Sequence, residues 1–106
     1  MSTVTQKERQ LARYRNNPKH VTFEELKALL EHYGFEVNNY SGGSHFSVSH
    51  TKYDIIGAME PNTIPSKKQH LMEVYVRRSL KWIDDVISLE MAEKAVLKNE
   101  KEKTNN

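Results

Sequence analysis

The stretch that most constrains the fold of this chain is VTFEELKALLEHYGF at residues 21–35, in which nearly every helix signal agrees. Thr22 is a favoured N-cap residue, and Glu25 three positions later completes a capping box. Gly34 is placed to end the helix in the left-handed conformation. One face of this helix is apolar and is formed by Phe23, Leu26, Leu29, Leu30 and Tyr33. The sequence therefore predicts a helix that covers a core with one side and stops at Gly34.

Short strands are predicted after this helix. Residues 35–41 begin with an alternation of apolar and polar residues, and residues 45–50 read HFSVSH after the Gly42-Gly43 pair. We interpret them as two antiparallel strands joined by a glycine turn. A third strand is predicted within residues 52–65, where a glycine and two prolines leave its limits open. Because side chains alternate along a strand, the second strand should place Phe46 and Val48 on one face and His45, Ser47 and Ser49 on the other.

A second amphipathic helix is predicted from about Glu73 onward. Its apolar residues recur every three or four positions, at Val76, Leu80, Ile83 and Ile87, and Trp82 falls in the same stripe as an expected core residue. The order of elements is therefore α-β-β-β-α. This order predicts an α+β fold in which a three-stranded antiparallel sheet carries both helices on one face and leaves the other face open.

Polar segments flank this central domain, which we place at residues 21–89. Residues 90–106 favour helix by propensity but offer little apolar surface, so we expect a charged helix end that frays into a disordered tail. Residues 1–20 form a basic N-terminal extension. It is predicted to contain a short helix that docks only loosely, through Leu11, Ala12 and Tyr14.

The composition excludes several chemistries. The chain has no cysteine, so it can form neither a disulfide, nor a thiolate nucleophile, nor a cysteine-based zinc site. No apolar signal-peptide core and no apolar stretch of membrane-spanning length is present, so we expect a cytoplasmic protein without membrane association. The net charge of +2 conceals two basic blocks, at residues 1–21 and 66–81. Such blocks attract phosphate, although a solvated surface gives the same pattern.

The segment most suggestive of chemistry is GGSHFSVSH at residues 42–50. A glycine turn lets a polymer backbone approach closely, and His45 directly follows that turn. Histidine can take up or release a proton near neutral pH, as cleavage of RNA by its own 2′-hydroxyl requires. From the spacing alone, an ordinary and partly exposed strand residue is the commoner explanation of His45.

The other histidines have weaker functional interpretations. A metal site of His45, His50 and His70 is disfavoured, because the first two have opposite strand parity and face opposite sides of the sheet. His50 could support the chemistry as a base, an acid or a phosphate contact. A half-buried residue at the end of the strand is the favoured interpretation. We expect no metal and no cofactor.

Basic residues before and within the second helix are the best candidates for phosphate contacts. Arginine can bind a phosphate through two parallel hydrogen bonds. For any one of these residues a solvated helix face is an equally good explanation. The candidates are Lys67, Lys68, Arg77 and Arg78.

The run VTFEELKALLEHYGFEVNNYSGGSHFSVSH, followed by Thr63-Ile64-Pro65 and VYVRRSLKWIDD, resembles the HicA family of bacterial toxins. These toxins are the ribonuclease components of HicA/HicB toxin–antitoxin modules. The resemblance covers roughly residues 20–86. Its most specific parts are the helix ending in Gly34, the Gly-Ser-His that ends at His45 with a second histidine five residues later, and the Ile-Pro before a basic helix.

This resemblance implies a fold like that of the double-stranded-RNA-binding domain and an activity that blocks translation by cutting mRNA. The family's catalytic histidine matches His45. Family members are neutralised by a HicB antitoxin, so a HicB-like antitoxin is the implied protein partner. The chain departs from the family pattern in its long flanking segments and in a longer segment at residues 51–62. These additions could support dimerisation or antitoxin docking, or mark a divergent member with another role.

The sequence thus leads to the hypothesis of a HicA-like, metal-independent endoribonuclease that cleaves single-stranded mRNA with His45 as general base or acid. Its oligomeric state stays open. The alternatives are a non-catalytic RNA- or protein-binding module of the same fold and, less well supported, an antitoxin-like or structural adaptor that uses the charged C-terminal helix. In the ribonuclease hypothesis Gly42, Gly43 and Ser44 admit the RNA backbone, and Lys67, Lys68, Arg77 and Arg78 hold phosphates.

Overall fold

A computed structural model describes residues 4–39, 42–54, 62–66 and 69–104 of the chain. The elements in chain order are helix α1 (Gln6–Asn16), helix α2 (Phe23–His32), strand β1 (Phe35–Asn38), strand β2 (His45–His50), strand β3 (Thr63–Pro65) and helix α3 (Glu73–Thr104). The predicted α-β-β-β-α order is confirmed for α2 to α3, and α1 precedes it. In the described ranges no helix is both long and apolar enough to cross a membrane.

The three strands form one antiparallel sheet in the order β1-β2-β3. Strand β2 is central and pairs Val48 with Val37 of β1 and Phe46 with Ile64 of β3. Strand β1 ends at Asn38, sooner than the predicted range of 35–41. The third strand, predicted within residues 52–65, is limited to Thr63–Pro65 among the residues that the structure describes there.

Helices cover one face of this sheet. Strand residues Phe35, Val37, Val48 and Ile64 are buried in a single core cluster that also includes the apolar face of α2 and the α3 residues Val76, Leu80, Trp82, Ile83 and Val86. Trp82 is fully buried, as predicted. The strand residues of opposite parity are exposed or half-buried, so both α2 and α3 lie on the same side of the sheet. The expected arrangement of helices on one face is confirmed.

Helix α1 packs more closely than the sequence suggested. Leu11 and Tyr14 retain only 6% and 4% exposure and belong to the same core, whereas Ala12 is exposed. The Tyr14 hydroxyl donates a hydrogen bond to Glu25 Oε2 (3.1 Å) and accepts one from Gln10 Nε2 (2.7 Å). The prediction of loose docking is therefore wrong, because two anchors spaced three residues apart bury one side of α1 against α2 and α3.

Helix α3 extends through most of the charged C-terminal segment. It continues to Thr104, and residues 105–106 lie outside the described residues, so the expected fraying stays a prediction. Its outer part is rich in Ala, Glu and Lys, which have high helix propensity. Lys52, in the turn after β2, also forms an exposed ion pair with Glu93 at 2.7 Å, which adds one contact between this part of α3 and the end of β2.

The capping box of α2 gives the fold a testable dependence on pH. Glu25 Oε1 accepts hydrogen bonds from the backbone N–H of Thr22 (3.1 Å) and from its hydroxyl (2.9 Å). The hydrogen bond from the Thr22 backbone is the main cause that holds the pKa of Glu25 below its ordinary value of 4.5.

A carboxylate whose pKa is lowered by folding contributes stability that is present above the unfolded-state pKa and lost as the pH falls through the folded-state pKa. We therefore expect the free energy of unfolding to decrease as the pH falls below about 4.5. The Glu25→Gln variant should be less stable at pH 7 and should lose less stability on acidification. Urea unfolding at several pH values measures both effects, and an identical acid dependence of the two proteins would contradict the assignment.

Candidate functional site

The predicted glycine turn is present before β2, and one of its glycines has a left-handed conformation. Gly42 has a φ of +75°, and a Cβ atom built there would meet nothing within 4 Å. Gly42 and Gly43 are both exposed, and the Asn39 side chain donates a hydrogen bond to the Gly43 carbonyl. The turn is therefore held by the hydrogen bond from Asn39, and its two glycines expose backbone without side chains to solvent.

Ser44 connects this turn to the sheet. Its carbonyl accepts hydrogen bonds from the backbone N–H of Ser66 (2.7 Å) and from the Ser66 hydroxyl (2.9 Å). These two bonds join the start of β2 to the chain just after β3. They fix the backbone immediately before His45, so the direction of the His45 side chain is set by rigid structure.

His45 is exposed at the first position of β2, opposite Pro65 of β3. Its side chain points to the face of the sheet that the helices do not cover, as the strand alternation predicts. Within the described ranges its imidazole has no hydrogen bond, ion pair or ring contact. The ring can therefore meet an incoming molecule without breaking an existing interaction.

The strand residues on the uncovered sheet face are mostly polar and uncharged. Glu36 is its one ionisable strand residue apart from His45, and none of the three strands contains a lysine or an arginine. Hydroxyl groups dominate the surface beside His45, because Ser47 lies opposite Thr63. The residues on this face, which we call the open face, are Glu36, Asn38, His45, Ser47, Ser49, Thr63 and Pro65.

His50 has a structural role and lies on the other side of the sheet. Its Nδ1 accepts hydrogen bonds from the backbone N–H groups of Lys52 (3.0 Å) and Tyr53 (3.1 Å). The ring proton must then be on Nε2, which donates to the Tyr33 carbonyl at 2.8 Å. The ring also packs against Phe35 with a centroid separation of 4.7 Å. The half-buried, structural interpretation of His50 is confirmed.

The three histidines considered as metal ligands are not brought together. His45 is on the open face, His50 is on the covered side, and the ring of His70 lies against that of His20 at 5.3 Å. In the described ranges there is no cluster of three or more histidine or carboxylate side chains suited to a metal ion.

Arg77 and Arg78 occupy a different layer from His45. Arg77 is exposed and lies 3.7 Å from Glu73, while the Arg78 guanidinium sits over the Tyr75 ring at 5.8 Å. Both are in the first turns of α3, which packs on the covered face. Lys67 and Lys68 lie outside the described residues. Because α3 follows soon after β3, which ends opposite His45, the arginines are at the same end of the domain but in the helical layer. Their phosphate-binding role stays a prediction.

Sequence reasoning missed Thr63 as a neighbour of the candidate site. The alternation of β2 identified Ser47 and Ser49, but the position of β3 was open, so its register with β2 was unknown. A threonine directly before an Ile-Pro pair was the available signal.

Together these features define a small α+β domain whose open sheet face presents one exposed histidine beside a row of hydroxyl groups. Comparison of the chain with family models, curated proteins and solved structures finds no match to any of them.

Proposed function

We propose that this chain is a HicA-like toxin, a metal-independent endoribonuclease that cleaves single-stranded mRNA, built on a fold like that of the double-stranded-RNA-binding domain. The observation that carries the proposal is the placement of His45. It is exposed on the open face, at the start of the central strand, directly after a left-handed glycine turn. Gly42 and Gly43 are exposed and have no side chain, so a phosphate backbone can approach closely at these two residues.

In the proposed reaction His45 removes the proton from a ribose 2′-hydroxyl, and the oxygen attacks the adjacent phosphorus. The bond from phosphorus to the 5′-oxygen of the next nucleotide breaks, and that oxygen takes a proton from water. The products are a 2′,3′-cyclic phosphate and a 5′-hydroxyl end. His45 then releases its proton to solvent and is ready for another cycle.

The other site residues keep the roles predicted from the sequence. Ser44 places the backbone before His45, and Gly42 and Gly43 admit the RNA. Negative charge that develops on the phosphate oxygens needs cations nearby. Arg77 and Arg78, at the same end of the domain, together with Lys67 and Lys68, are the proposed source of those cations.

The proposed protein partner is a HicB-like antitoxin, and the proposed location is the cytoplasm, where mRNA is translated. An antitoxin that occupies the open face would cover His45 and block access of RNA. A HicB-like gene adjacent to the gene for this chain would support the pairing.

A non-catalytic RNA- or protein-binding module of the same fold is the alternative. It is favoured by one observation: no carboxylate or other group in the described part of the chain orients the His45 ring, whereas catalytic bases are commonly oriented by a third group. Under this alternative the basic residues matter for binding and His45 does not.

Incubation of the purified protein with a single-stranded RNA in excess chelator separates the two functions. We expect cleavage in the chelator and products that end in a cyclic phosphate. Intact RNA, bound with an affinity that falls steeply with salt, would instead support the binding module. Added divalent cation should not raise the rate, and an activity that requires the cation would overturn the metal-independent mechanism.

A further inference from the structure

Two serines occupy the central strand of the sheet, where serine is a poor choice for stability. Ser47 lies between Asn38 of β1 and Thr63 of β3, and Ser49 lies opposite Glu36 of β1. β-Branched residues are better strand formers at such positions. Local choices that oppose the fold are concentrated at functional sites. The serine hydroxyls therefore call for a reason other than stability.

These hydroxyls are not used inside the domain. In the described ranges no hydrogen bond involves the side chain of Ser47, Ser49 or Thr63. Each hydroxyl can donate one hydrogen bond and accept two, and on the open face Ser49 is exposed while Ser47 and Thr63 are half-buried. Polar groups held by rigid strands without an internal partner are suited to binding an external one.

The hydroxyls are aligned with His45. Ser47 is two residues from His45 on the same strand and face, which places the two side chains about 7 Å apart along β2. This distance is comparable to the separation of neighbouring phosphates in an extended single strand of RNA. Thr63 is directly opposite Ser47 on β3, so their two hydroxyls approach the same point from adjacent strands.

We propose that Ser47 and Thr63 form a binding site for the phosphate next to the one at which His45 acts. This inference rests on the proposed ribonuclease function and adds to it the direction of the substrate, which lies along β2. Both hydroxyls donate hydrogen bonds to the oxygens of that phosphate, and such bonds to a charged acceptor are stronger than those between neutral groups. The strands carry no lysine or arginine, so these donors are the phosphate-binding groups of the strands themselves.

Ser49 marks the end of this site. It is paired with Glu36 on β1, and that carboxylate repels a phosphate. The RNA backbone therefore leaves the sheet between Ser47 and Ser49. Ser49 is therefore a matched control for Ser47, because the two are the same residue type on the same face of the same strand.

The test uses valine and threonine, which have the same shape and differ in the hydroxyl. In a His45→Ala background, which keeps the RNA intact, fluorescence anisotropy with a labelled single-stranded RNA measures affinity. We expect Ser47→Val and Thr63→Val each to weaken binding about tenfold. Ser47→Thr and Ser49→Val should stay within about twofold, since each keeps both site hydroxyls. The serine variants should melt at or above the temperature of the parent, because β-branched residues favour strands, and Thr63→Val should melt close to it, because both residues are β-branched.

The possible outcomes separate this inference from the proposed function. Equal affinities of Ser47→Val and Ser47→Thr, or no RNA binding by the His45→Ala protein, would overturn the phosphate site. Ser47→Val is also made in the protein that retains His45. If this variant cleaves RNA with the KM of the wild type, the phosphate site is overturned and the ribonuclease function stands. If the wild type leaves RNA intact but the valine and threonine variants differ as expected, the phosphate site stands and the enzymatic function fails.

Discussion

Replacement of His45 with alanine should lower the rate of RNA cleavage at least about 100-fold, the lower end of what a positioned general base contributes. The physical reason is that no other group in the described part of the chain is placed beside it to take the 2′-hydroxyl proton. The effect on stability should be within about 0.5 kcal/mol, since the side chain is exposed and makes no hydrogen bond, ion pair or ring contact in the described ranges. Initial rates on a single-stranded RNA and circular dichroism spectra measure the two effects.

Two control variants sharpen this test. His45→Gln keeps a polar side chain but cannot transfer a proton, so it should be as inactive as His45→Ala. His32→Ala removes an exposed histidine at the C-terminal end of α2, away from the open face, and should retain full activity. Cleavage by His45→Ala at the wild-type rate would exclude the proposed mechanism, and loss of activity in His32→Ala would point to a different site.

Local signals in the sequence predicted the parts of the fold that local interactions determine. Thr22 and Glu25 form the predicted capping box, and Gly34 has the predicted left-handed conformation, with a φ of +92°. The alternation in β2 correctly placed His45 on the open face and Val48 in the core. Each of these features depends on residues within a few positions of one another.

Features that depend on distant residues were not predictable in the same way. Tyr14 is buried in the core and donates a hydrogen bond to Glu25, eleven residues away, and Lys52 pairs with Glu93 of α3, forty-one residues away. Neither pairing has a signature in a single sequence, so the docking of α1 was judged too loose.

The candidate site also combines features that local signals predicted with features that depend on distant residues. The position of His45 followed from strand parity, but the partner of Ser47 required the register of β3, which only the folded sheet reveals. The positive charge of Arg77 was evident in the sequence, and its place in the helical layer followed from the predicted helix and from the predicted covering of one sheet face. Its distance from His45 was not predictable, because that distance depends on how the layers pack.

Two separate features of the structure require glycine at position 34. Its φ of +92° lies in the region that L residues rarely adopt, and a Cβ atom there would be 2.8 Å from His50 Nε2. The imidazole cannot move aside easily, because three hydrogen bonds hold it to the backbone of Tyr33, Lys52 and Tyr53. Gly34 therefore links the end of α2 to the end of β2 through a contact that only glycine allows.

The Gly34→Ala variant should accordingly lose about 2–4 kcal/mol of unfolding free energy, from left-handed strain and from the steric conflict together.

Gly42→Ala is the matched control, because Gly42 is also left-handed but has open space around its Cβ position. Its loss of unfolding free energy should come from the strain alone and be about 1–2 kcal/mol. His50→Ala removes the conflicting ring, and in its background the cost of Gly34→Ala should fall toward that of Gly42→Ala. Denaturant unfolding of the wild type and the four variants measures this coupling. If Gly34→Ala and Gly42→Ala cost the same, or if the double variant is simply additive, the His50 ring does not make the contact that the structure assigns to it.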